Sequence, residues 1–158
     1  MTAIDDVDRR ILEALQADAR TPLATVARTV GLSGAAVAER VRKLEQSGVI
    51  RGYAAIVDHE RLGKPLTAFI RVIQAPGRDP EDNAGAALAR DPDVLEVHHV
   101  AGEDCLILKV RAADPRGIEA LLHRLRARLD VTRTVTMIVL STLKDDPRFY
   151  WSDGKREP

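Results

Sequence analysis

The chain of 158 residues has a single cysteine, Cys105, and only five aromatic side chains: Tyr53, Phe69, Phe149, Tyr150 and Trp151. One cysteine excludes an intramolecular disulfide and suits a reducing compartment. So few aromatics leave the core to aliphatic residues. No apolar run approaches the roughly 20 residues needed to span a bilayer. The opening "MTAIDDVDRR" is acidic and lacks the apolar stretch of a secretory signal, so a cytoplasmic protein is expected. Net charge of one sign is missing as well, because 24 Lys and Arg balance 24 Asp and Glu. A chain that coats nucleic acid indiscriminately needs a large cation excess, since bulk phosphate affinity comes from many charges. Walker-type loops and nucleophile–base constellations are also absent.

What is present is ordinary globular composition, 45% hydrophobic and 30% charged, in two halves of different period. Ile4, Val7, Ile11, Leu12 and Leu15 recur at helical spacing, with Asp5 as a capping residue. Thr21-Pro22 reads as a cap followed by proline at the first helical position; Leu23, Val26, Ala27 and Val30 form the next apolar face, and Gly31 ends it. Ser33 then caps a third helix. Steps of 100° set Val37, Val41, Leu44 and Gly48 on one side of it, against Ala35, Glu39, Arg42 and Gln46 on the other, with Lys43 beside them. After Gly48, "VIRGYAAIVD" predicts two short strands around Gly52. Three helices and a hairpin make a winged helix-turn-helix.

The charge is local. Residues 28–51 carry Arg28, Arg40, Arg42, Lys43 and Arg51 against Glu39 and Glu45. In a helix-turn-helix the second helix of the motif enters the major groove by its N-terminal end. Gly34, Ala35, Ala36 and Ala38 are small enough to let that end approach base edges, and Glu39 can accept from a cytosine amino group. Arg42 and Lys43 reach phosphate or guanine, Thr21 and Ser33 begin helices whose N–H groups suit phosphate, and Arg51 in the wing reaches the neighbouring backbone. Arg40 lies near the apolar side, where an ion-pair partner within the fold competes with a DNA contact. A solvated basic face without function is the bland alternative, and the braced second helix, turn and wing weigh against it.

The second half alternates. Strands are expected at 66–74, 94–100, 105–111 and 134–140, with helices from Asp79-Pro80 to before Pro92 and from Asp114-Pro115 through Ile118, Leu121, Leu122, Leu125 and Leu129. This predicts a four-stranded antiparallel sheet with both helices on one face, a ferredoxin-like βαββαβ plan in an α+β chain. The expected layout is a DNA-binding domain over 1–60, a hinge over 61–65, the ferredoxin-like domain over 66–144 and a tail over 145–158. That tail holds three of the five aromatics and is expected to dock on a neighbouring subunit or on its own sheet. His98-His99 sit on a strand, so they point to opposite faces and do not share a metal. Neither a metal nor a cofactor is expected.

The strings "DDVDRRILEALQADAR", "LATVARTVGLS", "VAERVRKLEQSGVIRGY" and "VDHERLG", followed by "HHVAGEDCLILKV" and "VTRTVTMIVLSTLK", resemble the Lrp/AsnC family of bacterial and archaeal transcription regulators over about residues 4–144. The resemblance implies double-stranded DNA as partner, homodimers that assemble further toward octamers, and a small effector, usually an amino acid, at interfaces. It also implies an effector strip at Gly102, Glu103, Asp104 and Cys105 with Thr134, Thr136, Met137 and Ile138. Cys105 stands where the family often has an aspartate able to pair with an ammonium. Two alternatives remain: a siroheme-decarboxylase-like enzyme on the same plan, and a nucleoid-organising protein without effector.

Overall fold

The computed structural model describes residues 4–74, 88, 90–102, 106–129 and 131–151. These fall into two compact units, residues up to Ile56 together with the segment from Asp145, and Val57–Lys144.

The first unit begins with α1 (Asp6–Ala17), whose start is fixed by a reciprocal cap. Asp8 N donates to Asp5 Oδ1 at 2.7 Å and Asp5 N to Asp8 Oδ2 at 3.3 Å. Two of the four orphan N–H groups at the helix start are thereby satisfied, and the carboxylates sit at the positive end of the helix dipole. Helix α2 spans Leu23–Val30 and α3 spans Gly34–Gln46. Ile11, Leu15, Val26, Ala27, Val30, Val37, Val41 and Leu44 close into one aliphatic core, as the helical spacing predicted. Between α2 and α3, Gly31 takes a left-handed φ of 76° while its N–H bonds Ala27 O at 2.9 Å. That conformation costs glycine nothing and lets the chain reverse within three residues.

Two local readings change. The start of α2 is Pro22, whose carbonyl accepts from Thr25 N and Val26 N, and no side chain caps it, so Thr21 is not the capping residue. The wing strands do not form either. Residues 51–58 join no ladder among the described residues, and the Tyr53 hydroxyl ties the segment back by donating to Glu45 at 3.0 Å.

The second unit carries strands β1 (Leu66–Gln74), β2 (Val94–His99), β3 (Leu106–Ala112) and β4 (Val131–Ile138), with α4 (Pro115–Arg128) between the last two. All pairings are antiparallel in the order β2-β3-β1-β4. Ala68, Ile70 and Val72 alternate with Leu106, Leu108 and Val110 on one face, where Ile118, Leu121 and Leu125 of α4 cover them. Leu88 joins the same cluster; the rest of the helix expected before Pro92 lies outside the described residues, except Arg90 and Asp91. Strand β4 starts three residues earlier than predicted, because Val131 and Arg133 pair with Gln74 and Ile73 across a register shift. The stretch 59–64, which overlaps the expected hinge, is a hydrogen-bonded turn. Asp58 caps it through Glu60 N and Arg61 N, and Lys64 Nζ anchors it to Asp93 at 2.7 Å.

Candidate nucleic-acid interface and effector strip

Ser33 begins the site. Its extended backbone turns the chain into α3, and its hydroxyl accepts from Ala36 N at 3.2 Å. Beyond it, Gly34, Ala35, Ala38, Glu39, Arg42 and Lys43 are exposed and Ala36 is half-buried, whereas Val37, Val41 and Leu44 are buried. The helix therefore shows solvent a front end without bulk and a flank of charge. Thr21 is half-buried and Arg51 exposed on the unladdered segment, so the small front end, not a wing, is the built part of this surface.

The charges on that flank are ordered. Arg42 donates to Glu39 through Nε at 2.9 Å and Nη2 at 2.5 Å, and Lys43 Nζ lies 3.8 Å from the same carboxylate. The Arg42 guanidinium holds the Glu39 carboxyl below the usual range, and Glu39 in turn holds the Arg42 proton more firmly. Such a fork fixes the plane of the guanidinium before any ligand arrives. Arg40 behaves differently. Its Nη1 lies 2.7 Å from both Asp5 Oδ2 and Asp8 Oδ1, so it ties α3 to the cap of α1. Of the two roles open to Arg40, the ion pair is the one observed.

Of the effector strip, Glu103, Asp104 and Cys105 lie outside the described residues. Gly102 stands after β2 with a φ of 135°, while Thr134, Thr136, Met137 and Ile138 lie on β4. The sheet order puts β2 and β4 on opposite edges with β3 and β1 between them. Strands are ~4.8 Å apart, so three strand spacings separate β2, which Gly102 follows, from β4. Register also divides β4 itself: Thr134, Thr136 and Ile138 pair with Val72, Ile70 and Ala68 on the helix side, while Met137 pairs with Phe69 on the open face. Thr134 Oγ1 is 3.5 Å from Arg126 Nη2 of α4.

His98 and His99 take opposite sides, as strand geometry requires; His98 Nε2 is 3.0 Å from Glu96, which also meets Lys109 at 3.2 Å. Among the described residues no cluster of three or more His, Cys, Asp or Glu is placed to hold a metal, and no helix is long and apolar enough to cross a membrane. Sequence reasoning missed Asp91, whose buried carboxylate takes Arg124 Nε at 2.8 Å and Nη2 at 3.0 Å. A lone aspartate before proline carries no signal that an arginine 33 positions away will meet it.

With a helix-turn-helix and a four-stranded sheet in one chain, comparison with known proteins decides the family. Residues 4–45 match the AsnC-type helix-turn-helix domain and residues 67–149 the Lrp/AsnC ligand binding domain. The chain belongs to the Lrp/AsnC family of transcription regulators. It is 40% identical over 144 residues to the HTH-type transcriptional regulator LrpA of Mycobacterium tuberculosis, covering 91% of this chain and 95% of that one. The feast or famine regulatory protein of M. tuberculosis complexed with L-methionine superposes with a TM-score of 0.86 at 39% identity, covering 93% of this chain and 99% of that one. A transcriptional regulator of Neisseria meningitidis in complex with L-methionine gives 0.86 at 27% identity, covering 94% and 97%. These relatives are regulators, which decides against the decarboxylase alternative and makes the helix-turn-helix of this Lrp/AsnC protein a DNA-binding element.

Proposed function

We propose that this Lrp/AsnC regulator binds duplex DNA through Ser33, Gly34, Ala35, Ala36, Ala38, Glu39, Arg42 and Lys43, and responds to an amino acid held between copies of the chain. The exposed front of α3 carries the reading: small residues at the helix start, a capped N-terminus, and an ordered Glu39–Arg42 fork behind them. The N-terminal N–H groups suit a phosphate oxygen, and the fork can exchange its internal ion pair for a guanine or phosphate on one side and a cytosine amino group on the other. Arg40 serves the site by holding α3 on α1.

Self-association supplies the second recognition helix. Ile56 is 83% exposed on a segment with no ladder, and Leu140 and Leu143 are 96% and 97% exposed after β4. Phe69, Ile107 and Val135 add apolar surface to the open face of the sheet. A dimer places two recognition helices on one duplex, with half-sites about 34 Å apart or a multiple of that, and a further association toward octamers follows from the same surfaces. In this reading the effector strip joins the residues that follow β2 in one copy to β4 of another. L-methionine in two relatives makes it the first ligand to try.

Sequencing DNA captured by the protein from its genome, followed by footprints, tests the reading. One or a few protected palindromic sites are expected, with titration calorimetry showing L-methionine or another amino acid bound. A diffuse ladder with no amino acid bound would instead establish the nucleoid-organising alternative.

A further inference from the structure

Within the chain the described part of the tail, residues 145–151, belongs to the DNA-binding unit and not to the sheet. Gln16, in the last turn of α1, holds the Phe149 backbone from both sides, its Oε1 accepting from Phe149 N at 2.6 Å and its Nε2 donating to Phe149 O at 3.2 Å. A side-chain amide here copies the two bonds that a neighbouring strand residue would make. Two turns earlier on α1, the Arg9 guanidinium lies 5.5 Å above the Trp151 ring, whose edge meets Phe149 at 5.1 Å between centroids and 85° between planes. The approach to this contact is stiffened locally. Asp146 accepts from Arg148 Nε and Nη2, each at 2.9 Å, from Arg148 N at 3.0 Å and from the Tyr150 hydroxyl at 2.5 Å.

The chain thus leaves the DNA-binding unit after Ile56, builds the second unit, and returns to the first from Asp145. We propose that residues 139–151 form a strap. By docking Phe149 and Trp151 on Gln16 and Arg9, it gives the DNA-binding unit a second tether to β4 and so limits its reorientation against the second unit. The inference rests on the paired-helix reading above. A flexibly attached reading head must lose orientational freedom to match a second half-site, and prior restraint removes part of that cost. The chain itself joins β4 to the docked segment. Strand β4 leads to the strap, the strap to α1, and α1 through Asp5 and Asp8 to Arg40 on the recognition helix. An effector that shifts β4 would therefore act on α3 through covalent chain and ion pairs, and DNA would act back on the effector equally.

The test uses the sole tryptophan of the chain, Trp151. Acrylamide quenching of its fluorescence is expected to be several-fold weaker in the full chain than in Gln16→Ala; equal quenching overturns the strap whatever the DNA results. In the second arm, a captured duplex is compared whole and cut to one half-site, using the wild type, Gln16→Ala and a chain ending at Lys144. Gln16→Ala and the shortened chain are expected to lose about tenfold in affinity for the paired site and nothing for the single half-site, which also shows that the DNA-binding unit is folded. Wild-type affinity for both sites in the two altered chains overturns the coupling. A wild type that does not distinguish two half-sites from one overturns the paired reading instead, and the quenching arm still decides whether the tail docks.

Discussion

Arg40, midway along the recognition helix, places Nη1 2.7 Å from Asp8 Oδ1 of the first helix. The same nitrogen is 2.7 Å from Asp5 Oδ2, so one guanidinium ties the helix that carries the proposed DNA-facing residues to the capping box of its neighbour. Two arginines only two positions apart on α3 thereby divide the work. Arg42 faces outward in a fork with Glu39, and Arg40 faces inward as a brace.

Arg40→Ala is accordingly expected to act through stability. The melting temperature of the DNA-binding unit should fall by about 4 °C or more, while the salt dependence of DNA binding stays as in the wild type. A variant that melts normally but shows a shallower salt slope would move Arg40 to the interface.

Arg42→Ala should do the opposite, leaving the melting curve in place and weakening DNA binding. If the contact is to phosphate, the loss is uniform across sequences and the slope of log K against log salt falls by about one. Glu39→Gln frees Arg42 from its fork and removes an acceptor. Binding to unrelated duplexes should tighten while discrimination between sites narrows, which competition with sheared genomic DNA measures.

Ser33→Ala removes the acceptor for Ala36 N at the front of α3. A loss of about 1 kcal/mol in unfolding free energy is expected, with Ser33→Gly costing less, as urea titration of the protein would show.

Asp91 governs the second unit. Its side chain is 2% exposed and bonded by Arg124, with Arg128 Nη1 at 3.4 Å. Asp91→Asn leaves Arg124 without its main partner, and a loss of about 2–3 kcal/mol is expected, moderated because Arg124 is itself partly solvated. The Arg124 hydrogen bonds hold the Asp91 carboxyl below the usual range, and the backbone N–H of Asp8 followed by Arg40 does the same for Asp5. A depressed carboxylate contributes stability that is complete above its unfolded pKa and lost as pH falls through the folded one. Unfolding free energy should therefore be level above about pH 5 and decline below about pH 4, and Asp91→Asn should flatten that decline. A melt unchanged between pH 6 and pH 3 would contradict both assignments.

Much of this was open to reading in the sequence because it depends on local periodicity. Val37, Val41 and Leu44 had to share a face at helical spacing, so Ala35, Glu39 and Arg42 had to share another, and the structure buries the first set and exposes the second. Gly31 and Ser33 marked the turn by their own backbone and hydroxyl chemistry. Strand β1 was found at its observed ends, since alternating Ala68, Ile70 and Val72 fit only a half-buried strand.

What sequence left open were the choices in which one segment answers another. "VIRGYAAIVD" has strand character, but a strand exists only where a second backbone supplies its hydrogen bonds, and here none does among the described residues. The start of β4 is set by Ile73 and Gln74, not by its own residues. Arg40 is a brace because Asp5 and Asp8 stand opposite, and Gln16 is a receptor because Phe149 returns to it. Period and turn chemistry act over a few residues and are written in order along the chain; ion pairs, ladders and the two edges of a sheet depend on which distant residues become neighbours, and only folding makes them so.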